Sequence, residues 1–152
     1  MPTSPIPFPL AVLTSELSLP VQVAWLIPLY GFAGMLVSLP WAAGLFRRQA
    51  HRPAAYLNIL LTLLAFVHGS LILQEVFQSG PVDLAYPWLT LADLELDISF
   101  SLTLTNLVAL ELITGLSLLS QVYSLGYMDK EWALARFFAL LGFFEGAMSG
   151  VV

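Results

Sequence analysis

The chain has 152 residues, 59% of them hydrophobic and only 10% charged, with a net charge of −5. A soluble domain is about 25% charged, so too few solvating side chains are present to cover this much Leu, Val and Phe, and a disordered chain would be far poorer in them. Five Lys/Arg against ten Asp/Glu exclude an electrostatic footprint for nucleic acid, and the absence of cysteine removes disulfides, thiol nucleophiles and Cys-ligated metal or iron–sulfur centres.

Composition therefore points to an integral membrane protein, with the lipid bilayer as its first partner. Residues 1–20 hold five prolines and no Lys or Arg. Prolines break helices, and a secretory signal would begin with basic residues, so this stretch is expected to be an exposed N-terminal tail. Crossing a hydrocarbon core of about 30 Å takes about 20 mostly apolar residues. Four stretches qualify: about 21–46 without a charge, about 54–77 interrupted by His68 and Glu75, about 101–124 with Glu111, and about 132–152. The last is still apolar at Val152, as expected of a piece of a longer chain. The expected architecture is an all-α transmembrane bundle of four spans.

Orientation follows the basic residues. Arg47, Arg48 and Arg52 share one short loop with His51, and short loops rich in Lys/Arg stay cytoplasmic. Residues 78–100 hold Asp83, Asp93, Glu95 and Asp97 and no basic residue, which suits the opposite face, together with the N-terminus. That face is periplasmic, or lumenal in a photosynthetic membrane. Within it, Leu94, Leu96, Ile98 and Phe100 alternate with polar residues, a half-buried strand pattern that predicts a small outer-face β-hairpin. Tyr86 and Trp88 suit the headgroup level.

Motifs of soluble enzymes are absent, and the two histidines lack metal-ligand spacing. The informative residues are polar ones inside the spans: Asn58, His68, Glu111, Gln121 and Glu145. At 1.5 Å per residue, His68, Glu111 and Glu145 each lie roughly 15–20 Å into their spans. A histidine and two carboxylates near mid-bilayer are groups from which proton relays are built, which makes Glu111, Glu145 and His68 the proton-path candidates. Each has a structural alternative: Glu111 accepting from Ser or Thr of a neighbouring helix, His68 on a packing surface beside Gly69 and Ser70, Glu145 close to another helix between Gly142 and Gly146. Gly31, Gly34 and Gly44 are expected to make room for a neighbour, as is the Gly142, Gly146, Gly150 stripe, and Pro28 and Pro40 to kink the first span.

Several segments carry a family resemblance. Tyr123-Ser124-Leu125-Gly126-Tyr127-Met128, Ala135-Arg136-Phe137-Phe138-Ala139 and Met148-Ser149-Gly150 resemble the N-terminal part of respiratory complex I chain 5. Trp25-Leu26-Ile27-Pro28-Leu29 resembles its first helix, and Tyr86-Pro87-Trp88-Leu89 its outer hairpin. A finer resemblance is to the cyanobacterial chain 5 variants of type-1 NAD(P)H dehydrogenase that serve CO2 uptake. It rests on Arg52-Pro53-Ala54-Ala55-Tyr56-Leu57-Asn58, Ala65-Phe66-Val67-His68 and Phe137-Phe138-Ala139-Leu140-Leu141, and on Leu104-Thr105-Asn106-Leu107, where the respiratory pattern differs.

The resemblance implies a proton-translocating, antiporter-like subunit of an NAD(P)H/ferredoxin–plastoquinone oxidoreductase in a cyanobacterial thylakoid. The chain itself would bind no cofactor; plastoquinone and iron–sulfur clusters would belong to other subunits. Implied partners are the complex's other membrane subunits and, in the uptake variant, a CO2-hydration subunit. The family's key glutamate and lysine lie on later helices, so no established pumping residue is carried over. The alternative is a non-transporting accessory subunit that scaffolds a complex.

Overall fold

Pro28 decides how the chain starts its first long helix. In an uninterrupted helix its ring would meet the carbonyl of Ala24, whereas in the first turn its missing N–H costs nothing. The computed structural model, which describes residues 18–45, 52–91, 94–128 and 133–152, breaks the helix just there. A short helix α1 (Leu19–Gln22) is joined to α2 (Leu26–Ala42) by a tight turn, in which Leu26 N–H donates to Val23 O (2.9 Å) and Ile27 N–H to Ala24 O (3.0 Å). At its other end α2 stops early. Gly44 takes a positive φ of 79°, its N–H reaches Trp41 O, and Leu45 N–H reaches Pro40 O, the paired closure of a Schellman motif. The expected single span over 21–46 is thus corrected to two pieces, cut by Pro28 and closed by Gly44. Gly44 ends the helix, and a Cβ built on it would meet nothing within 4 Å among the described residues.

Helix α3 (Arg52–Ser79) follows and ends on Gly80, again at positive φ. Strands β1 (Val82–Leu91) and β2 (Leu94–Leu102) then pair antiparallel. The register slips between Pro87 and Leu89, where a proline without a donor breaks the ladder and a bulge absorbs the mismatch. The side chains of residues 85–100 lie outside the described residues, as do the tail to residue 17, Arg47, Arg48, His51 and residues 129–132. Helix α4 (Leu104–Tyr127) starts three residues later than the apolar run suggests, because β2 continues to Leu102. Thr103 caps it by accepting from Asn106 N–H. Helix α5 (Leu134–Val151) closes the described chain.

Three of these helices, α3, α4 and α5, are long and apolar enough to cross a membrane. Helix α2, at 17 residues, measures about 25 Å and falls short of a 30 Å core. It nevertheless runs tight against α5. A Cβ built on Gly31 would stand 2.4 Å from Gly146 N, and one on Gly142 2.9 Å from Met35 N. The two backbones touch where Gly31 packs against Gly142 and Gly146. Arg136, at the start of α5, donates from Nε to Ala42 O (3.1 Å) and satisfies a carbonyl at the end of α2.

Burial is inverted relative to a soluble protein. Leu60, Leu64, Leu112, Leu116, Leu140 and Phe144 are exposed, while Ser38, Asn58, Thr62, Thr114, Gln121 and Glu145 are buried. Apolar clusters sit at both ends. One joins Val21, Ile27, Ile72, Val76, Leu84 and Leu107; the other joins Ala55, Leu134 and Phe138. On α3, the buried polar positions Asn58 and Thr62 fall between them. Apolar outside and hydrogen-bonded polar inside is the arrangement lipid demands.

Candidate functional site

The polar layer is built by side chains one helical turn apart. Asn58 and Thr62 stack on one face of α3, and Ser117 and Gln121 on one face of α4 (i, i+4). Glu145 comes to them from α5, beside the two glycines that admit α2. It is 2% exposed, and one carboxyl oxygen takes nearly all its contacts. Glu145 Oε2 accepts from Ser117 Oγ (2.7 Å), Thr62 Oγ1 (2.8 Å) and, at longer range, Gln121 Nε2 (3.2 Å). Gln121 Nε2 also donates to Thr62 Oγ1 (2.6 Å), so the threonine hydroxyl relays between amide and carboxyl. These donors are all neutral. Among the described residues, Glu145 Oε1 and Gln121 Oε1 are buried without a hydrogen-bond partner.

Asn58 pins the layer at one side. Its Nδ2 donates to Phe138 O (2.9 Å) on α5 and to Ser38 Oγ (3.2 Å) on α2. Its amide fills the space left by Gly34 and Gly142, whose Cβ atoms would stand 2.9 Å from Oδ1 and 3.1 Å from Nδ2.

Glu111 is placed differently. It reaches from α4 to α3 at Gly69, where a Cβ would stand 2.9 Å from its Oε1. The nearby Ser70 hydroxyl donates to Phe66 O (3.0 Å) within α3, and Glu111 Oε1 is buried without a hydrogen-bond partner among the described residues. His68 touches neither carboxyl through a hydrogen bond: its Nε2 lies 2.9 Å from Pro20 O in α1, and Tyr30 packs edge-on at 6.1 Å between ring centroids. Because a carbonyl only accepts, the proton at that contact sits on Nε2. Glu75, two turns along α3, accepts from Ser18 N–H and Ser18 Oγ. His68 and Glu75 together strap α1 onto α3.

The three proton-path candidates therefore lie at two levels of α3, His68 being next to Gly69 on the helix itself. Glu145 is at Thr62, and Glu111 is at Gly69, about 10 Å further along the helix axis. Glu145 is brought together with Gln121; Glu111 and His68 stand apart from it. Sequence reasoning overlooked Thr62 and Ser117, for which the only signal was their spacing of four from Asn58 and Gln121. Among the described residues no three His, Asp or Glu side chains converge as a metal site. What the layer offers is one buried carboxyl, with hydroxyls and amides to hold it.

Residues 88–138 match the family model described as NADH-ubiquinone oxidoreductase (complex I), chain 5 N-terminus. A subunit 5 of NAD(P)H-quinone oxidoreductase from Paulinella chromatophora, named for organellar chromatophore 2, is 65% identical over 142 residues, covering 92% of this chain and 23% of that protein. The chain belongs to the complex I chain 5 family. A second chain 5 protein of the same organism, organellar chromatophore 1, is only 26% identical over 87% of this chain and 20% of its own length. The chloroplast subunit 5 of Chlorokybus atmophyticus is 30% identical over 86% of this chain and 20% of its own length. The chain thus spans about a fifth of the length of these chain 5 relatives. Within it, the matched region runs from the outer hairpin through α4 into the first turn of α5.

Proposed function

We propose that this chain 5 protein is a proton-translocating membrane subunit of an NAD(P)H/ferredoxin–plastoquinone oxidoreductase, and that Glu145 is a proton-carrying residue within it. The observation that carries the reading is the state of Glu145. It is a carboxyl 2% exposed at the centre of an apolar bundle, fixed at one oxygen by neutral donors and open at the other. Ionisable groups are costly at membrane depth and mark ion or proton routes when they occur. Glu111, with its own unpartnered oxygen, and His68 are further candidates at another level. Quinone reduction belongs elsewhere in such a complex, and this chain couples to it without a redox centre of its own.

The proposal extends to topology and branch. Helices α1 and α2 together make a fourth crossing beside α3, α4 and α5, supported by the glycine contact that runs α2 along α5. The loop over residues 47–52 is cytoplasmic and the hairpin and N-terminus lumenal, in the thylakoid; the basic loop and acidic hairpin support this. The CO2-uptake branch, with a CO2-hydration subunit as partner, is favoured by the Arg52–Asn58 and Phe137–Leu141 segments. The identities of 65% and 26% to two chain 5 proteins of one organism support a reading in which this chain belongs to one of several branches.

The test is Glu145→Gln in the assembled complex. The amide keeps the shape and an acceptor oxygen but carries no exchangeable acid proton. Proton uptake per quinone reduced should fall several-fold with the complex intact on a native gel. Lower assembly with normal coupling in what remains would assign Glu145 to scaffolding and sink the reading.

A further inference from the structure

The two oxygens of the Glu145 carboxyl are unequal. A carboxylate oxygen offers about two lone-pair sites, and those of Oε2 are occupied by the Ser117 and Thr62 hydroxyls, with the Gln121 amide adding a third, longer contact. Oε1 is as deeply buried and has no partner among the described residues. Buried polar atoms in native structures are almost always satisfied, by water where protein offers nothing. Beside Glu145 lies a groove between α4 and α5 of about 300 Å³, open at one side and lined by Leu112, Leu116, Ser117, Ser120 and Phe144 as well as Glu145 itself. Ser117, Ser120 and Glu145 are its polar groups, set among apolar side chains of which Leu112, Leu116 and Phe144 are exposed on the outside of the bundle; the two hydroxyls and the carboxyl are the partners water would use there.

We propose that water occupies this groove and that Glu145 gains and loses its proton at Oε1 through it. A hydronium in the groove gives its proton to Oε1 and leaves as water; the reverse step returns the proton, and nothing is oxidised or reduced. Thr62, Ser117 and Gln121 hold Oε2 still throughout, which makes them positioning residues. This inference rests on Glu145 carrying protons, and it adds the atom and the face of approach.

These 152 residues contain no cysteine, so the mass of the labelled peptide identifies a thiol introduced among them, and the unsubstituted complex, treated in parallel, gives the background loss from thiols elsewhere. In membranes holding the assembled complex, the Ser120→Cys protein is treated with a membrane-impermeant cationic methanethiosulfonate or with N-ethylmaleimide, and the modified peptide is weighed. Modification by the cationic reagent is expected, with a several-fold loss of proton movement that a reductant reverses. Modification by N-ethylmaleimide alone would mean a lipid-filled groove, and modification by neither a groove covered by protein; either overturns the proposal. Leu116→Cys gives the same reading if Ser120→Cys does not assemble. Labelling needs no turnover, so a dry groove with Glu145→Gln still uncoupling would remove the water and leave the proton role standing. A labelled groove with normal coupling in Glu145→Gln would remove the proton role, and this proposal with it.

Discussion

Glu145 and Glu111 are both membrane-depth carboxyls with one unpartnered oxygen, and the bundle accommodates them in opposite ways. Around Glu145 the neighbours contribute groups: two hydroxyls and an amide from α3 and α4 converge on one oxygen. Around Glu111 the neighbour withdraws one, since Gly69 leaves a notch where any side chain would collide with Oε1. A carboxyl held by donors is fixed in place; one lodged in a notch is only allowed there. The α5 region adds a second contrast, for Gly142 and Gly146 have backbone as their nearest neighbour, which cannot move aside, while Gly69 faces the flexible end of a side chain.

That difference orders the expected effects of substitution. Gly31→Ala should be the most damaging, because its Cβ would fall 2.4 Å from Gly146 N and two backbones must separate. A cost above about 4 kcal/mol is expected, read as loss of assembled complex on a native gel, and normal assembly would refute the close contact. Glu145→Leu comes next. It strands the Thr62, Ser117 and Gln121 donors in the core, at about 3 kcal/mol or more in total, and should lower the thermal midpoint of the complex well beyond Glu145→Gln. Equal midpoints for the two variants would mean that the donors do not hold the carboxyl. Thr62→Val removes one donor and Gln121's best acceptor, for about 1–2 kcal/mol, with the assembled amount little changed.

Gly69→Ala should be the mildest, below about 1 kcal/mol, since a flexible side chain can shift. Its signature is chemical: with Glu111 expelled from the notch, a hydrophobic carbodiimide should modify Glu111 faster while Glu145 is unaffected. Unchanged Glu111 labelling would show that the notch does not position it.

Much of this was legible in the residues. The alternation at 94–100 announced a hairpin, and Glu145 stood out because nothing near it in sequence is charged. The partners of Glu145 were not legible. Hydroxyls are common in membrane helices, and spacing within α3 or α4 does not say which face of one helix meets which face of another. The run from 21 to 46 read as one span because its hydropathy is continuous; helix ends are set by backbone chemistry, and Pro28 and Gly44 carried that signal against the apolar count. Gly44 shows the ambiguity best, being read as space for a neighbour when its φ makes it a stop.

The seam between α2 and α5 also has a mechanical meaning. Where Gly31 faces Gly142 and Gly146, backbone meets backbone, so that stretch of the seam has little with which to yield. The two helices act as one stiff beam, and Glu145 is mounted on it. Any displacement that accompanies a change of charge at Glu145 must therefore be taken up on the opposite side, where α4 stands off across the groove and can move without breaking backbone contact.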